Sequence, residues 1–342
     1  MKKVFFMLSI IALAACTGCC DQTKQENRVN PLLEKWTTPY EVPPFDKIQP
    51  SDYIPAFEQG IKERNEELNV IENVSNPTFE NVIRAYDRCG STLDKVSGVF
   101  FCLSETDTTP EIDSISGVVR NMLTLHNNEV TFNEKLFSNI KAVYDKRHEL
   151  NLAPDEVRVT EKIYNDFTRY GANLPTDKKE ALKEVNLKLS SACLKFGQNV
   201  LSDSKDFKMI IDNEADLKGL PETVKEMAAQ TAKESGEEGK WIFTADKPSW
   251  IPFLQYAENR NLREKLYKGW YMRGDNNNAF DAKELINEIV NLRVQKAKLL
   301  GFNNFAEYRI DINMAKTPEA VMNFLNEVWE VALPAATKER NA

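Results

Sequence analysis

Apolar residues recur every three or four positions over most of the chain, beginning at Ser51. Ile54, Phe57 and Ile61 open the pattern, and this spacing places apolar side chains on one face of an α-helix. Similar stripes, with helix-start signals and the glycine stop at Gly171, predict helices over residues 79–86, 96–103, 112–125, 132–144, 155–170 and 175–200. The sequence therefore predicts an all-α region from residue 51 to residue 200.

The pattern changes after residue 200. Residues 206–211 and 240–244 are short runs rich in β-branched and aromatic side chains, which predicts two strands. Leu220-Pro221 opens a helix between them that stops near Gly236. We expect the two strands to pair across this helix and form a small sheet flanked by helices.

The stretch from Lys247 to Gly301 predicts two long amphipathic helices joined by a polar turn at Asn276-Asn277-Asn278. Ser249 is a natural N-cap, and a single helix from there to Arg273 would be roughly 36 Å long at about 1.5 Å per residue. The second helix covers residues 282–300, and Gly301 ends it. Further helices are predicted over residues 303–308 and after Thr317-Pro318-Glu319, which reads as a cap and a first-turn proline. The predicted buried stripe of the first long helix consists of Leu254, Ala257, Leu262, Leu266, Tyr267 and Trp270.

Composition agrees with a folded, mainly α protein. The chain has 342 residues, 42% of them hydrophobic and 28% charged, which is enough for one large domain or two ordinary ones. The formal net charge is −8, and no basic patch with interleaved aromatics occurs. A nucleic-acid partner is therefore not expected.

The N-terminus has the pattern of a processing signal. Lys2 and Lys3 precede a short apolar run from Val4 to Leu13, and Ala14-Ala15-Cys16 follows. Small residues before a cysteine are typical of a bacterial lipoprotein signal, whose thiol receives a diacylglyceryl group; an ordinary secretory signal is the alternative. We predict a signal peptide over residues 1–15, lipidation at Cys16 and a flexible tether over residues 16–30, with the protein anchored to the cell envelope by lipid and facing the periplasm.

The residues of the chain do not suffice for a zinc peptidase site. Such a site needs two histidines four apart on one helical face with a glutamate between them. The chain has two histidines, His126 and His148, which are 22 residues apart, and Leu152 stands where the partner of His148 would be. We predict that both histidines are structural, and we assign no catalytic, cofactor-binding or metal-binding residue.

Other chemistry has little support. No Gly-x-Ser-x-Gly elbow and no glycine-rich phosphate loop occurs. Arg260, Arg263 and Arg273 would either line a groove that binds a peptide carboxylate or pair with acids along the helix, as Arg260 would with Glu264. The three cysteines after residue 20 are predicted to be small buried hydrophobic residues rather than disulfide partners or zinc ligands. They are Cys89, Cys102 and Cys193.

Several short motifs resemble a known family. They are Pro248-Ser249 with Pro252-Phe253-Leu254, Asn259-Arg260 with Leu262-Arg263-Glu264, Lys296-Ala297-Lys298-Leu299-Leu300-Gly301-Phe302, Asn313-Met314-Ala315-Lys316-Thr317-Pro318, Pro77-Thr78-Phe79-Glu80-Asn81 and Gly171-Ala172-Asn173-Leu174. Together, in this order, they resemble the peptidyl-dipeptidase and oligopeptidase A branch of the thimet-oligopeptidase-like zinc peptidases. The Asn276-Asn277-Asn278 tract favours the peptidyl-dipeptidase side of that branch.

The resemblance implies a mainly α, neurolysin-like (zincin-like) protein with a deep channel and a small β element near residues 206–244. It implies a zinc-dependent peptidyl-dipeptidase that releases C-terminal dipeptides from short peptides, with a zinc held by a His-Glu-x-x-His helix. No position of this chain matches that motif. We therefore expect the N-terminal half alone: a helical domain over residues 31–205 and, over residues 206–342, the start of the peptidase region, truncated before the zinc-binding helix.

Three functional readings follow from the resemblance. The chain is an N-terminal portion of the peptidase, inactive alone, whose partner is a missing C-terminal catalytic half. Alternatively, it is a non-catalytic helical lipoprotein that binds peptides or a protein partner, or it is a poorly folding remnant. If another half normally packs on this one, Trp250, Leu254, Tyr267 and Trp270 should not all be covered.

Overall fold

The computed structural model describes residues 28–342, so the predicted signal peptide, Cys16 and most of the predicted tether lie outside the described residues. The described chain is built mainly of α-helices with one two-stranded sheet, which confirms the predicted fold class. None of its helices combines the length and apolar character needed to cross a membrane.

The region predicted to be all-α is helical as expected. After a short 3-10 turn at Pro39–Glu41, a π-helical turn at Phe79–Arg84 runs directly into α2. The helices of this region are α1 (Pro50–Glu72), α2 (Ala85–Arg88), α3 (Ser91–Thr106), α4 (Pro110–Thr131), α5 (Glu134–Lys146), α6 (Pro154–Arg169) and α7 (Thr176–Asp206). The local start signals act as predicted, since the hydroxyl of Thr78 accepts a hydrogen bond from the amide of Asn81.

Two apolar clusters hold these helices together. One joins the first half of α1 to α3 and α4, with Phe57 and Phe100 packed edge to face at 5.5 Å between ring centroids. The other joins the end of α1 to α5 and α6 around Leu136, Ile140 and Phe167. Gly60 lets α1 and α3 cross closely, because a Cβ there would lie 2.9 Å from the Cα of Leu93.

The predicted sheet is confirmed. Strand β1 (Lys208–Ile211) pairs antiparallel with β2 (Trp241–Thr244), and Met209 lies opposite Phe243. Between them the chain forms a 3-10 turn at Glu214–Leu217 and helix α8 (Glu222–Glu234). The inward faces of this unit, with Phe253 and Leu266 from later helices, form a third apolar cluster.

The prediction of a single long helix from Ser249 to Arg273 was wrong. The chain forms α9 (Lys247–Tyr256) and α10 (Arg260–Tyr271), separated at residues 257–259. Asp246, not Ser249, is the N-cap of α9, while the hydroxyl of Ser249 accepts a hydrogen bond from the amide of Thr244 at 2.9 Å.

A contact from the loop before α8 accounts for the break. The amide of Glu258 donates to the carbonyl of Lys218 at 2.9 Å, and the side chain of Asn259 donates to Asp216 at 2.8 Å. The carbonyl oxygen of the same Asn259 side chain caps the next helix by accepting from the amides of Asn261 and Leu262. Helix hydrogen bonding therefore ends and restarts where this loop docks.

The remaining helices follow the predicted order. They are α11 (Lys283–Leu299), α12 (Phe305–Ile310) and α13 (Pro318–Asn341). Gly301 ends α11 with φ 87°, and the hydroxyl of Thr317 caps α13 through the amide of Ala320. Helix α11 packs along α7, which joins the two regions predicted as separate domains; the boundary at residue 205 stays a prediction.

The asparagine tract is more than a polar turn. Asp203, at the end of α7, is only 4% exposed, and three donors from this loop bind its carboxylate. They are the amide of Gly274 at 2.6 Å and the side chains of Asn276 at 2.8 Å and Asn278 at 2.7 Å. The loop between α10 and α11 is thereby fixed to α7.

Candidate functional site

The largest cavity of the described chain lies among α1, α4, α6, α7 and α11 and has a volume of about 990 Å³. Its position follows from the helix packing, because α7 lies against both α4 and α11. Polar side chains at its wall include Arg64, Arg120, Asn128, Asn186 and Lys296. A cavity of this size with a few converging polar groups is the default candidate for a binding site.

A chain of amides connects three helices at this wall. The ammonium group of Lys296 on α11 donates to Oδ1 of Asn186 on α7 at 2.8 Å. The amide nitrogen of Asn186 donates in turn to Oδ1 of Asn128 on α4 at 2.9 Å. The Nδ2 atom of Asn128 is buried and has no hydrogen-bond partner among the described residues.

The wall carries both signs of charge, but the cations lack acidic partners. Arg64, Arg120 and Lys296 form none of the ion pairs found among residues 28–342. Burial, together with repulsion from Arg309, lowers the pKa of Lys296. The acids at the wall are occupied or exposed: Asp166 pairs with Lys162 at 2.9 Å, Asp113 accepts from the hydroxyl of Thr108 at 3.1 Å, and Glu105 is exposed.

The described residues do not fit a zinc ion. Within residues 28–342, no three His, Cys, Asp or Glu side chains come together as a potential metal site. His126 is 2% exposed and neither ring nitrogen has a hydrogen-bond partner, but the cation of Arg64 lies near it and would repel a metal. His148 is exposed on the turn after α5.

His126 predicts a pH-dependent stability. Burial, assisted by Arg64, lowers its pKa from 6.5 to about 4. The unfolded chain therefore binds the proton first as pH falls below 6.5, so stability is fully present above that pH and is lost progressively towards pH 4. At pH 5 this amounts to about 2 kcal/mol.

Replacing the ring by leucine, H126L, is expected to flatten the urea-unfolding free energy between pH 6.5 and 4, because the titrating group is gone. At pH 7 the variant should be at least as stable as wild type, since a buried unsatisfied polar group is removed. The matched variant H148L should keep the wild-type slope. An unchanged slope in H126L would assign the acid sensitivity to other groups.

The three arginines singled out from the sequence do not converge on a site. Arg263 donates to backbone carbonyls, including that of Glu258 at 3.0 Å, and so stabilises the break before α10. Arg273 donates to the carbonyl of Trp270 at 2.6 Å. Glu264 pairs with Lys268 at 2.6 Å rather than with Arg260. Arg263 and Arg273 therefore bind backbone carbonyls near the two ends of α10.

The prediction for the cysteines holds in one case. Cys89 is buried, as expected for a small apolar residue, whereas Cys102 and Cys193 are exposed. Their expected burial was wrong. Cys102 lies on an exposed position of α3, and Cys193 of α7 is exposed at the wall of the large cavity.

No pattern in the sequence predicts this cavity. Its polar residues come from positions as distant as 64 and 296, and each is an ordinary helical residue in its own segment. Lys296 belongs to the Lys296–Phe302 motif noted above for its resemblance, but its neighbours Gln295 and Lys298 are polar as well.

Comparisons with known proteins show which family and which relatives the chain resembles. Residues 253–342 match the family described as Peptidase family M3. The chain is 33% identical over 312 residues to the dipeptidyl carboxypeptidase of Escherichia coli (strain K12), covering 91% of this chain and 46% of the relative. It is 28% identical over 315 residues to oligopeptidase A of the same organism, covering 91% and 46%. The chain thus spans just under half the length of these relatives, and the predicted resemblance to this branch is confirmed.

Proposed function

We propose that this chain is the N-terminal portion of a zinc-dependent peptidyl-dipeptidase that hydrolyses short peptides and releases C-terminal dipeptides. One observation carries the proposal: similarity to a dipeptidyl carboxypeptidase runs along nine-tenths of the chain. The chain itself contributes helices that wall a substrate channel. No group of potential zinc ligands comes together among residues 28–342, and neither histidine stands in a His-Glu-x-x-His pattern. We infer that the chain is inactive alone and that a C-terminal half supplies the His-Glu-x-x-His helix.

The exposed apolar face of α13 supports a missing partner surface. No residue of α13 is buried. Phe324 is 65% exposed and Trp329 is 61% exposed, and large exposed apolar patches mark interaction surfaces. By contrast, Trp250 and Trp270 stack on each other at 4.2 Å between ring centroids and are half-buried, so they are less exposed than Phe324 and Trp329 of α13.

The proposal is tested by the coding sequence that follows codon 342. We expect it to encode His-Glu-x-x-His, in the same frame or after a frameshift. The protein extended through that motif should release dipeptides from short peptides, and chelation or replacement of both motif histidines by alanine should abolish the activity. If no such motif follows and the purified chain is stable, the proposal fails.

In that case the alternative, a non-catalytic helical lipoprotein that binds peptides or a protein partner, becomes the better account. The cavity favours it independently, because a cavity of about 990 Å³ with several polar groups at its wall is a default candidate for a binding site. A peptide-binding measurement on the chain alone separates it from the third reading, a poorly folding remnant.

We also propose that Cys16 is lipidated and anchors the protein to the bacterial cell envelope, facing the periplasm. The support is the sequence pattern of two lysines, an apolar run and small residues before Cys16. Metabolic labelling with a radioactive fatty acid should mark the wild-type protein in membranes but not the C16S variant. Labelling that survives in C16S would assign the lipid to Cys19 or Cys20, or contradict the anchor.

A further inference from the structure

Helix α13 is amphipathic, and none of its residues is buried. The acids Glu327 and Glu330 lie on one face, together with Pro334, whose ring therefore does not interrupt the other face. Apolar side chains recur along that other face at spacings of three and four residues. They are Val321, Met322, Leu325, Val328, Trp329, Ala332, Ala335 and Ala336.

This apolar face is large enough to hold a partner helix. Leu325 and Val328 are each 51% exposed. Trp329 is 61% exposed, which leaves roughly 100–150 Å² of its surface open to water. Pairing the whole face with a second helix would bury on the order of 1,000 Å² in total, which is the size of a weak, reversible interface.

The order of side-chain sizes along the apolar face matches a second copy of the same helix. The face is bulky in the first half of α13, at Val321, Met322 and Leu325, and small in the second half, at the three alanines. In an antiparallel pair, the alanines of one copy meet the bulky residues of the other, so the space between the helices is filled evenly. A parallel pair would set bulky residues against bulky ones and leave a gap between the alanines.

The charges at the ends of α13 favour the same orientation. The first turn holds the acid Glu319, whereas the last turn holds Lys338 and Arg340 against one acid, Glu339. Antiparallel pairing brings the acidic start of each copy to the basic end of the other, and it also opposes the two helix dipoles. Parallel pairing would bring like charges together at both ends.

We propose that two copies of this chain associate through the apolar faces of α13, with the two helices antiparallel and Met322 of one copy opposite Ala332 of the other. The proposal concerns the chain of 342 residues and does not rest on the proposed function. A C-terminal half packed on α13 would compete with the second copy for the same face. A monomeric chain would therefore exclude the dimer without affecting the proposed function.

Sedimentation equilibrium of the full chain over about 1–100 µM, the range that a weak interface requires, tests the association. We expect a reversible equilibrium between monomer and dimer. W329E should weaken the dimer at least tenfold, because it places a charge at the middle of the apolar face. N323E adds the same charge to the opposite, exposed face of the same helix and should associate as wild type.

The variant A332L separates a specific helix pair from general hydrophobic association. It enlarges the apolar face, so general association would become stronger. In the antiparallel pair the added side chain would instead collide with Met322 of the other copy, and the dimer should weaken at least tenfold. The double variant M322A/A332L returns the space and should restore the dimer.

Cysteine variants report the orientation, in a background of C102S and C193S that removes the two exposed thiols of the described chain. A mixture of M322C and A332C chains should form a disulfide-linked dimer under mild oxidation. M322C alone should not exceed the level of the background chain, because its two copies would lie about 15 Å apart along an antiparallel pair. A monomer at every concentration, aggregation without a limit at two copies, stronger association of A332L, or linkage of M322C to itself would overturn the proposal.

Discussion

Replacing Gly219 by alanine, G219A, is expected to lower the free energy of unfolding by about 4 kcal/mol, combining backbone strain with overpacking. Gly219 has φ 90°, a conformation that side chains other than glycine rarely adopt. A Cβ there would lie 2.2 Å from the carbonyl oxygen of Tyr256 and 3.2 Å from the amide nitrogen of Glu258. Since both neighbours are backbone, the clash is relieved only if the loop moves off the break between α9 and α10.

A variant at a second glycine separates the cost of backbone strain from the cost of the steric clash. Gly236 has φ 78°, and a Cβ there would meet nothing within 4 Å. G236A should therefore lose only about 1 kcal/mol, the strain alone. Urea unfolding of both variants measures the difference. Equal losses of unfolding free energy in G219A and G236A would contradict the close packing of Gly219 against the backbone between α9 and α10.

Replacing Asp203 by alanine, D203A, is expected to cost about 3 kcal/mol, because three donors lose a charged acceptor in a buried place. Besides this loss of overall stability, the loop between α10 and α11 should become less well ordered. With the loop over residues 274–282 released from α7, limited proteolysis should cut there first. The matched variant D206A removes an exposed carboxylate from the last turn of the same helix and should change little.

The lowered pKa of Asp203 also predicts that the protein loses stability as the pH falls. Burial opposes its charged form, but the hydrogen bonds from Gly274, Asn278 and Asn276 outweigh burial and hold its pKa below the ordinary 3.8. The stabilisation is therefore fully present above about pH 4 and is lost as pH falls through the lower, folded-state pKa. D203A should approach wild-type stability at the acid end. A difference that stays constant with pH would indicate that the charge of Asp203 does not matter.

Local signals account for what the sequence predicted well. Gly171 and Gly301 end their helices with φ of 99° and 87°, and Thr317 caps α13, each through contacts within a few residues. The β1–β2 pairing was also predictable, because each strand carries its own apolar pattern.

The break between α9 and α10 was not predictable in the same way. Leu254, Ala257 and Leu262 would share one face of a continuous helix, which favours a single helix although residues 258–261 are all polar. Asn259 is a capping residue by type, but the deciding contact is the carbonyl of Lys218, about forty positions earlier in the chain. The cavity was missed for the same reason, since Asn128, Asn186 and Lys296 become a relay only when three helices pack.

We propose that this chain carries the helical scaffold of a zinc peptidase like the relatives it resembles, and no zinc site of its own. The most direct measurement is metal analysis of the purified chain together with a dipeptide-release assay on short peptides, with and without a chelator. We predict no stoichiometric zinc and no chelator-sensitive cleavage. One zinc per chain with cleavage that chelation abolishes would contradict the account and would require metal ligands that the two histidines, His126 and His148, do not supply as they are placed.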